Sequence, residues 1–290
     1  MELKSQFKYS TIPATPESER IFSQKEHALI GISPFNGYYT EANLEKIFYW
    51  ALNTFKNISV FIPTEISAYT LQAMEYEKEK AQKKTFRQDC LLKNKALRAL
   101  EANKLSKTEA ENKIVRLSDI NAGEKYTKFY DKYVDLYDND KDFRAGSLLT
   151  SKWVLETKGI FCDVEDEAVR AAVKYFLAEL PLYLNTPEIL NVSSSLFVYK
   201  DLPSPFLQNI YNDNLLVSPG QGYLTVKIEC PTNNDAEDSM RKNSIYIKNI
   251  LNQVSGSIYW KNRDGTYLGC NQKEAELVGL SSPEDLIGKT

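Results

Sequence analysis

Apolar and polar positions along most of the chain switch between a strand period and a helix period. Residues 27–33, HALIGIS, form an apolar run closed by Ser-Pro and a glycine-containing turn, the pattern of a buried strand. Residues 41–56, EANLEKIFYWALNTFK, then carry apolar groups at helical spacing. ISVFIP, 58–63, returns as a second strand stopped by Pro63. Residues 65–101 predict one or two long helices, with Ala68, Leu71 and Met74 on one face before the composition turns basic. A further helix is expected over 163–180, with an acidic first turn and an end near Pro181. LFVY (196–199) and GYLTVKI (222–228) predict two more strands, the second supported by alternation.

Strands alternating with helices predict an α/β fold, a doubly wound, mostly parallel sheet covered on both faces. Ligands in such sheets sit beyond the C-terminal strand ends, and Ser33 and Tyr199 both fall there. A catalytic domain is expected over 1–230, closed by a polar linker, 231–244. Residues 245–290 differ in kind: GSIYWKNRDGTYLGCN predicts two short strands around an Asp-Gly turn, and EAELVGL a helix. This piece is too small for a core of its own and resembles the first half of a PAS sensor domain.

Composition narrows the function classes. The chain has 290 residues, 42% hydrophobic and 26% charged, an ordinary globular balance that fits one large domain or two smaller ones. No basic start precedes an apolar stretch, and no run reaches about 18 apolar residues, so a cytoplasmic protein with no membrane contact is expected. Cys90, Cys162, Cys230 and Cys270 are far apart and predict free thiols. A single histidine and unclustered cysteines exclude His-rich or Cys-rich metal sites. A net charge of -3 confines any nucleic-acid contact to a local patch.

Gly31-Ile32-Ser33-Pro34-Phe35 is almost a G-x-S-x-G nucleophile elbow, without its second glycine. His27, the only histidine, lies six residues upstream on the same strand, roughly 20 Å from Ser33 at the rise of a β-strand. A Ser-His-Asp hydrolase is therefore excluded within this chain, because that histidine cannot take the serine proton. A nucleophilic Ser33 requires an acyl ester that arrives activated. His27 itself is expected to be a structural residue whose imidazole bonds to backbone.

These residues resemble a known family. His27-Ala-Leu-Ile-Gly-Ile-Ser33 is similar to the first signature of the cyclodipeptide synthases, and Tyr175-Phe-Leu-Ala-Glu179-Leu-Pro181 to their second; the resemblance spans about 25–230. It implies a fold like the catalytic domain of class I tyrosyl- and tryptophanyl-tRNA synthetases, without ATP motifs. It also implies synthesis of cyclic dipeptides from two aminoacyl-tRNAs by ping-pong chemistry, through an aminoacyl-serine and then a dipeptidyl-serine, with the second aminoacyl-tRNA supplying the attacking amine. Neither ATP nor a metal is needed, and no cofactor is expected. By motif position Ser33 is the nucleophile, Tyr175 and Glu179 hold the α-amino end, and Tyr199 is the further active-site tyrosine. Asn36 matches the position that separates the family's branches, and Leu29, Gly31, Phe61, Leu182 and Phe197 the lining of the first side-chain pocket. Lys200 departs from the pattern, which has histidine or proline there.

Helical spacing gives the second signature a physical reason: Tyr175 and Glu179, four residues apart, present a phenol and a carboxylate to one small volume. A carboxylate matches an α-ammonium group and can take its proton. Residues 80–98 carry seven basic groups against one acidic, Asp89. Lys80, Lys84, Arg87, Lys95 and Arg98, with Lys83 beside them, form a cationic stripe suited to tRNA phosphates, opposite an apolar face of Phe86, Leu91, Leu92 and Leu97. Two aminoacyl-tRNAs are the expected partners, DNA is not, and the expected state is a monomer, with dimerisation possible through the C-terminal segment. Two rival readings are a non-catalytic aminoacyl-tRNA or nucleotide-binding module feeding a sensor, and an esterase or acyltransferase using another activated donor.

Overall fold

The computed structural model describes residues 7–157, 159–229, 256–262, 264–280 and 282–289. Contacts divide the chain into two units, Met1–Glu229 and Cys230–Thr290. The expected linker, 231–244, lies outside the described residues.

The first unit runs β1 (Lys8–Pro13), α1 (Pro16–Gln24), β2 (His27–Gly31), α2 (Glu41–Thr54), β3 (Asn57–Ile62), α3 (Ser67–Ala73), α4 (Lys78–Glu101), α5 (Lys107–Lys113) and β4 (Ile114–Arg116). It continues through α6 (Leu117–Ile120), α7 (Glu124–Asn139), α8 (Lys141–Glu156), α9 (Glu167–Leu190), β5 (Ser195–Tyr199), α10 (Pro205–Asp213) and β6 (Gln221–Glu229). The strands form one sheet in the order β1-β6-β5-β2-β3-β4. From β6 to β4 neighbours are parallel, and β1 lies antiparallel on the β6 edge.

Every residue of β2 is buried, because the strand is central and covered on both faces. Side chains alternate between faces. Ala28 and Ile30 join Leu44, Ile47, Phe48, Leu92 and Ala96 in one core, while Leu29 joins Phe61, Tyr133, Val173, Leu177 and Leu182 in another. From β2 the chain builds β3 and β4 to one side, then returns to lay β5 and β6 on the other. The C-terminal ends of β2 and β5 therefore flank the topological switch point, where open α/β sheets place their ligands.

The structure corrects the expected boundaries of α9. The helix begins at Glu167 rather than Asp163, because the Asp163 amide is engaged by the Asp166 carboxylate in a turn that precedes it. It also runs through Pro181 to Leu190 instead of stopping there, with Asn185 non-helical. A proline removes the donor to the carbonyl four residues back, and along this stretch hydroxyl groups bond the carbonyls, among them that of Tyr183, which Pro187 frees. Tyr126 donates to the Ala178 carbonyl at 2.7 Å, Thr186 Oγ1 to the Leu182 carbonyl at 2.5 Å, and Tyr211 to the Tyr183 carbonyl. The Thr186 amide meets the Gln221 side chain at 3.0 Å.

The apolar face expected on α4 is also corrected. The helix packs through Ala81, Thr85, Leu92, Ala96, Ala99 and Leu100. Phe86 and Leu91 are 70% and 56% exposed, because the small residues let α4 lie close to α2 and α3 and turn Phe86 and Leu91 outward.

In the second unit β7 (Tyr259–Lys261) pairs antiparallel with β8 (Tyr267–Cys270). The turn holds Asp264 and Gly265, the latter at φ +83° where glycine carries no Cβ penalty. Asn271 caps α11 (Gln272–Leu277), and Cys270, Ala275 and Leu286 form a small core. Among the described residues no helix is long and apolar enough to cross a membrane.

Candidate active site

Ser33 lies two residues beyond β2, on a loop whose shape is fixed at several points. The Ile32 amide still bonds to the Phe61 carbonyl at 3.1 Å, so the strand hydrogen bonding reaches the residue before Ser33. Phe35 follows at φ +56°, a left-handed conformation costly for a bulky side chain and characteristic of functional loops. Its ring packs on the core of Ala68, Leu71 and Ala81. Asn36 Oδ1 accepts from the Tyr38 amide at 3.0 Å, closing an Asx turn. Thr40 then caps α2 by accepting from the Asn43 amide.

Ser33 Oγ meets the Tyr199 hydroxyl at 2.7 Å. Tyr199 closes β5, which pairs with β2 in the register Ile30 to Val198, so the parallel pairing itself sets the two hydroxyls at one end of the sheet. Burial, first of all, pushes the Tyr199 phenol up to about 12, against the opposing bond from Ser33. Gly31 permits the approach: a Cβ there would fall 2.6 Å from Phe197 Cζ and 3.4 Å from Tyr199 Cδ2.

Glu179 enters from α9. The carboxylate is 8% exposed and accepts from Tyr175 at 2.9 Å through Oε1 and from Tyr183 at 3.2 Å through Oε2. Burial raises its titration from 4.5 to about 7, and the two phenol bonds offset part of that rise. Tyr175 and Tyr183 are held well above the ordinary tyrosine range, by burial and then by Glu179. The Tyr183 ring lies 4.2 Å from Phe197, and Phe197 6.5 Å from Tyr199, so continuous aromatic packing joins the carboxylate cluster to the Ser33 pair.

Of the expected site residues, the structure brings Ser33, Tyr175, Glu179 and Tyr199 to this one end of the sheet. Leu29, Phe61, Leu182 and Phe197 share the core beneath them, beside Gly31. Asn36 shapes the loop. Lys200, at the departure from the family pattern, pairs with Asp201 and lies over the rings of Tyr38 and Tyr199, 5.6 and 6.0 Å from their centroids. The basic stripe of α4 is less uniform than expected. Lys80, Lys83 and Arg87 are exposed and show no ion pair among the described residues. Lys95 is half-buried, and Arg98 pairs with Glu41 at 2.8 Å. Lys84 donates to the Tyr76 hydroxyl at 2.9 Å and lies 5.9 Å from the Phe35 ring, next to the serine loop.

His27 departs from its expected backbone bonding. Its ring nitrogens meet side chains, Nδ1 the Ser195 hydroxyl at 2.8 Å and Nε2 the Ser59 hydroxyl at 3.1 Å, because both neighbouring strands place a serine beside it. It begins β2, at the far end of the strand from Ser33. Sequence reasoning missed Tyr183, whose signal is the continuing four-residue spacing from Tyr175 and Glu179. It also missed Tyr39, buried against Tyr199 with ring centroids 6.2 Å apart.

The family model for cyclodipeptide synthase matches residues 9–228. A cyclo(L-leucyl-L-leucyl) synthase from Staphylococcus haemolyticus is 32% identical over 218 residues, covering 72% of this chain and 91% of its own. The structure of a cyclodipeptide synthase from the same organism superposes with a TM-score of 0.69 at 30% identity, covering 77% of this chain and 100% of that one. A Mycobacterium tuberculosis structure, described as demonstrating that cyclodipeptide synthetases are related to type I tRNA synthetases, gives 0.67 at 25% identity, covering 76% and 94%. With its signatures gathered at one end of a parallel sheet and its matched region spanning the first unit, the chain belongs to the cyclodipeptide synthase family.

Proposed function

We propose that the chain makes diketopiperazines from two aminoacyl-tRNAs by ping-pong catalysis on Ser33. The observation that carries this reading is the pairing of Ser33 with Tyr199 at 2.7 Å beside a buried Glu179 held by two phenols, with the only histidine at the opposite end of β2. Such a serine has no base strong enough for an unactivated amide, and an aminoacyl ester needs none.

Ser33 Oγ attacks the ester carbonyl of the first aminoacyl-tRNA. The new Oγ–C bond replaces the C–O bond to the ribose, and the proton lost by Ser33 ends on the ribose oxygen. The α-ammonium of the bound residue faces Glu179, whose carboxylate holds it and takes its proton when the amine must become nucleophilic. That amine then attacks the ester carbonyl of the second aminoacyl-tRNA; the new N–C bond replaces the C–O bond to its ribose, whose oxygen takes the proton that the nitrogen sheds. This direction corrects the expectation that the second tRNA supplies the amine, since only attack by the serine-bound amine leaves the dipeptide on Ser33. The terminal amine of the dipeptide finally attacks the seryl ester, the six-membered ring closes, and Ser33 recovers its proton.

The apolar groups beneath the site, Leu29, Phe61, Leu182 and Phe197, favour an apolar first residue. The exposed Lys80, Lys83 and Arg87 of α4, together with Lys84 beside the serine loop, favour docking of a tRNA backbone there. Incubation with charged and uncharged tRNA pools, followed by mass spectrometry of small products, tests the reading. Diketopiperazines from the charged pool alone support it, and free amino acid without cyclic product refutes it in favour of an esterase.

A further inference from the structure

The Tyr39 hydroxyl is a buried group that this mechanism leaves unused. Tyr39 stands at the end of the serine loop, immediately before the Thr40 cap of α2, and is 2% exposed. Its ring lies edge-on to Tyr38 at 5.3 Å and tilted by 44° against Tyr199 at 6.2 Å. The hydroxyl, shielded from solvent, makes no hydrogen bond of ordinary geometry among the described residues. Buried hydroxyls are almost always paired, and an unpaired one is a cost that phenylalanine would avoid at the same volume. Burial first, and then Tyr199, keep the Tyr39 phenol protonated far above neutral pH, so it is available only as a donor or as a neutral acceptor. In return a hydrogen-bonding contact from the Tyr39 hydroxyl draws the Tyr199 phenol down, so the two hydroxyls already face each other. Tyr199 is already committed to Ser33 at 2.7 Å.

We propose that Tyr39 is a positioning residue for the Ser33–Tyr199 pair: its hydroxyl donates to the Tyr199 oxygen during acyl transfer and so directs the Tyr199 proton at Ser33 Oγ. The inference rests on reading Ser33 as the nucleophile. Whenever the Oγ–carbonyl bond forms or breaks, negative charge develops on Oγ, and a donor there stabilises it. A second donor behind the first strengthens it, because linked hydrogen bonds polarise one another. The contact that falls short of an ordinary hydrogen bond in the resting site is then tightened in the transition state, which is where an interaction accelerates a reaction. No proton leaves Tyr39; the ribose oxygen still receives the one lost by Ser33.

Tyr39→Phe removes only the hydroxyl. Wild type and Y39F are mixed with saturating aminoacyl-tRNA labelled in its amino acid and quenched at short times, and the rate of label attachment is compared with tRNA affinity and melting temperature. The variant is expected to melt no lower than wild type and to bind tRNA equally well. It should acylate about fivefold to tenfold more slowly, the worth of one neutral hydrogen bond made only in the transition state. Equal acylation rates overturn the inference while leaving Ser33 as nucleophile, and so does a loss confined to tRNA affinity. Absence of label on the wild type sinks the nucleophile reading and this inference with it. Should Y39F melt lower, a ring-fluorinated tyrosine at this position keeps the shape and sharpens the donor. Acylation must then speed up, and a rate indifferent to donor acidity overturns the inference.

Discussion

Replacing Glu179 by glutamine should remove a loss of stability that accompanies a rise in pH toward neutrality. Unfolded, the carboxyl ionises near 4.5, and in the fold it keeps its proton to about 7, chiefly because it is buried. Below 4.5 both states are protonated and the fold suffers nothing. As pH rises from 4.5 through 7 the unfolded chain gains by ionising while the folded chain is penalised, so stability is lost across that window. The gap between 4.5 and about 7 corresponds to about 3 kcal/mol at roughly 1.4 kcal/mol per pH unit. Glutamine keeps the shape and one acceptor for the two phenols but cannot ionise. Urea denaturation followed by tryptophan fluorescence, run on wild type and Glu179→Gln at several pH values from about 5 to 8, isolates this group by subtraction. The stability of wild type minus that of the variant should fall by about 2.5 kcal/mol across the range. A difference that stays flat with pH would refute the claim that burial governs this carboxyl. In the mechanism proposed above, an α-ammonium bound at Glu179 requires the carboxylate, so aminoacyl transfer should release protons near neutral pH.

His27 should produce the opposite slope. Burial, with Lys113 second, lowers it from 6.5 to about 4, so its contribution is intact above 6.5 and is lost as pH falls toward 4. Up to about 3 kcal/mol is at stake, and His27→Gln should flatten that acid limb in the same urea experiment; an unchanged limb would count against it. Gly31→Ala should destabilise by about 1–3 kcal/mol, the usual penalty for overpacking a core, because its Cβ would press on the fully buried Phe197 ring. A melting temperature equal to wild type would show that the ring has room. Lys83→Glu with Arg87→Glu should weaken tRNA binding and flatten its salt dependence without unfolding α4. Unchanged affinity at low salt would return that face to ordinary solvated surface.

The switch-point placement of Ser33 and Tyr199 was legible because unbroken apolar runs ending at Pro34 and at a charged pair mark central strands and their ends. The course of α9 was not. A local rule stops helices at proline, whereas Tyr126, Thr186 and Tyr211 bond carbonyls along the helix, Tyr211 the one that Pro187 frees, and these donors are remote or invisible in a linear reading. Tyr183 was hidden with it, lying beyond the expected end of the helix. On α4 Phe86 and Leu91 looked like part of the packing face, but Ala81, Ala96 and Ala99 share that face with Leu92, and size as well as hydropathy decides how closely helices approach. Edge strands β1 and β4 left little signal, β1 being half-buried or exposed along its length and β4 short and half-buried.

On the proposed mechanism every turnover passes through a covalent bond to Ser33. Aminoacyl-tRNA labelled in its amino acid, mixed with the protein and quenched within one turnover, should leave label ester-linked to the peptide that contains Ser33. A chase with a second aminoacyl-tRNA should move that label into a cyclic dipeptide, and Ser33→Ala should lose both label and product. Label found on another residue, or cyclic dipeptide made by Ser33→Ala at the wild-type rate, would contradict the account.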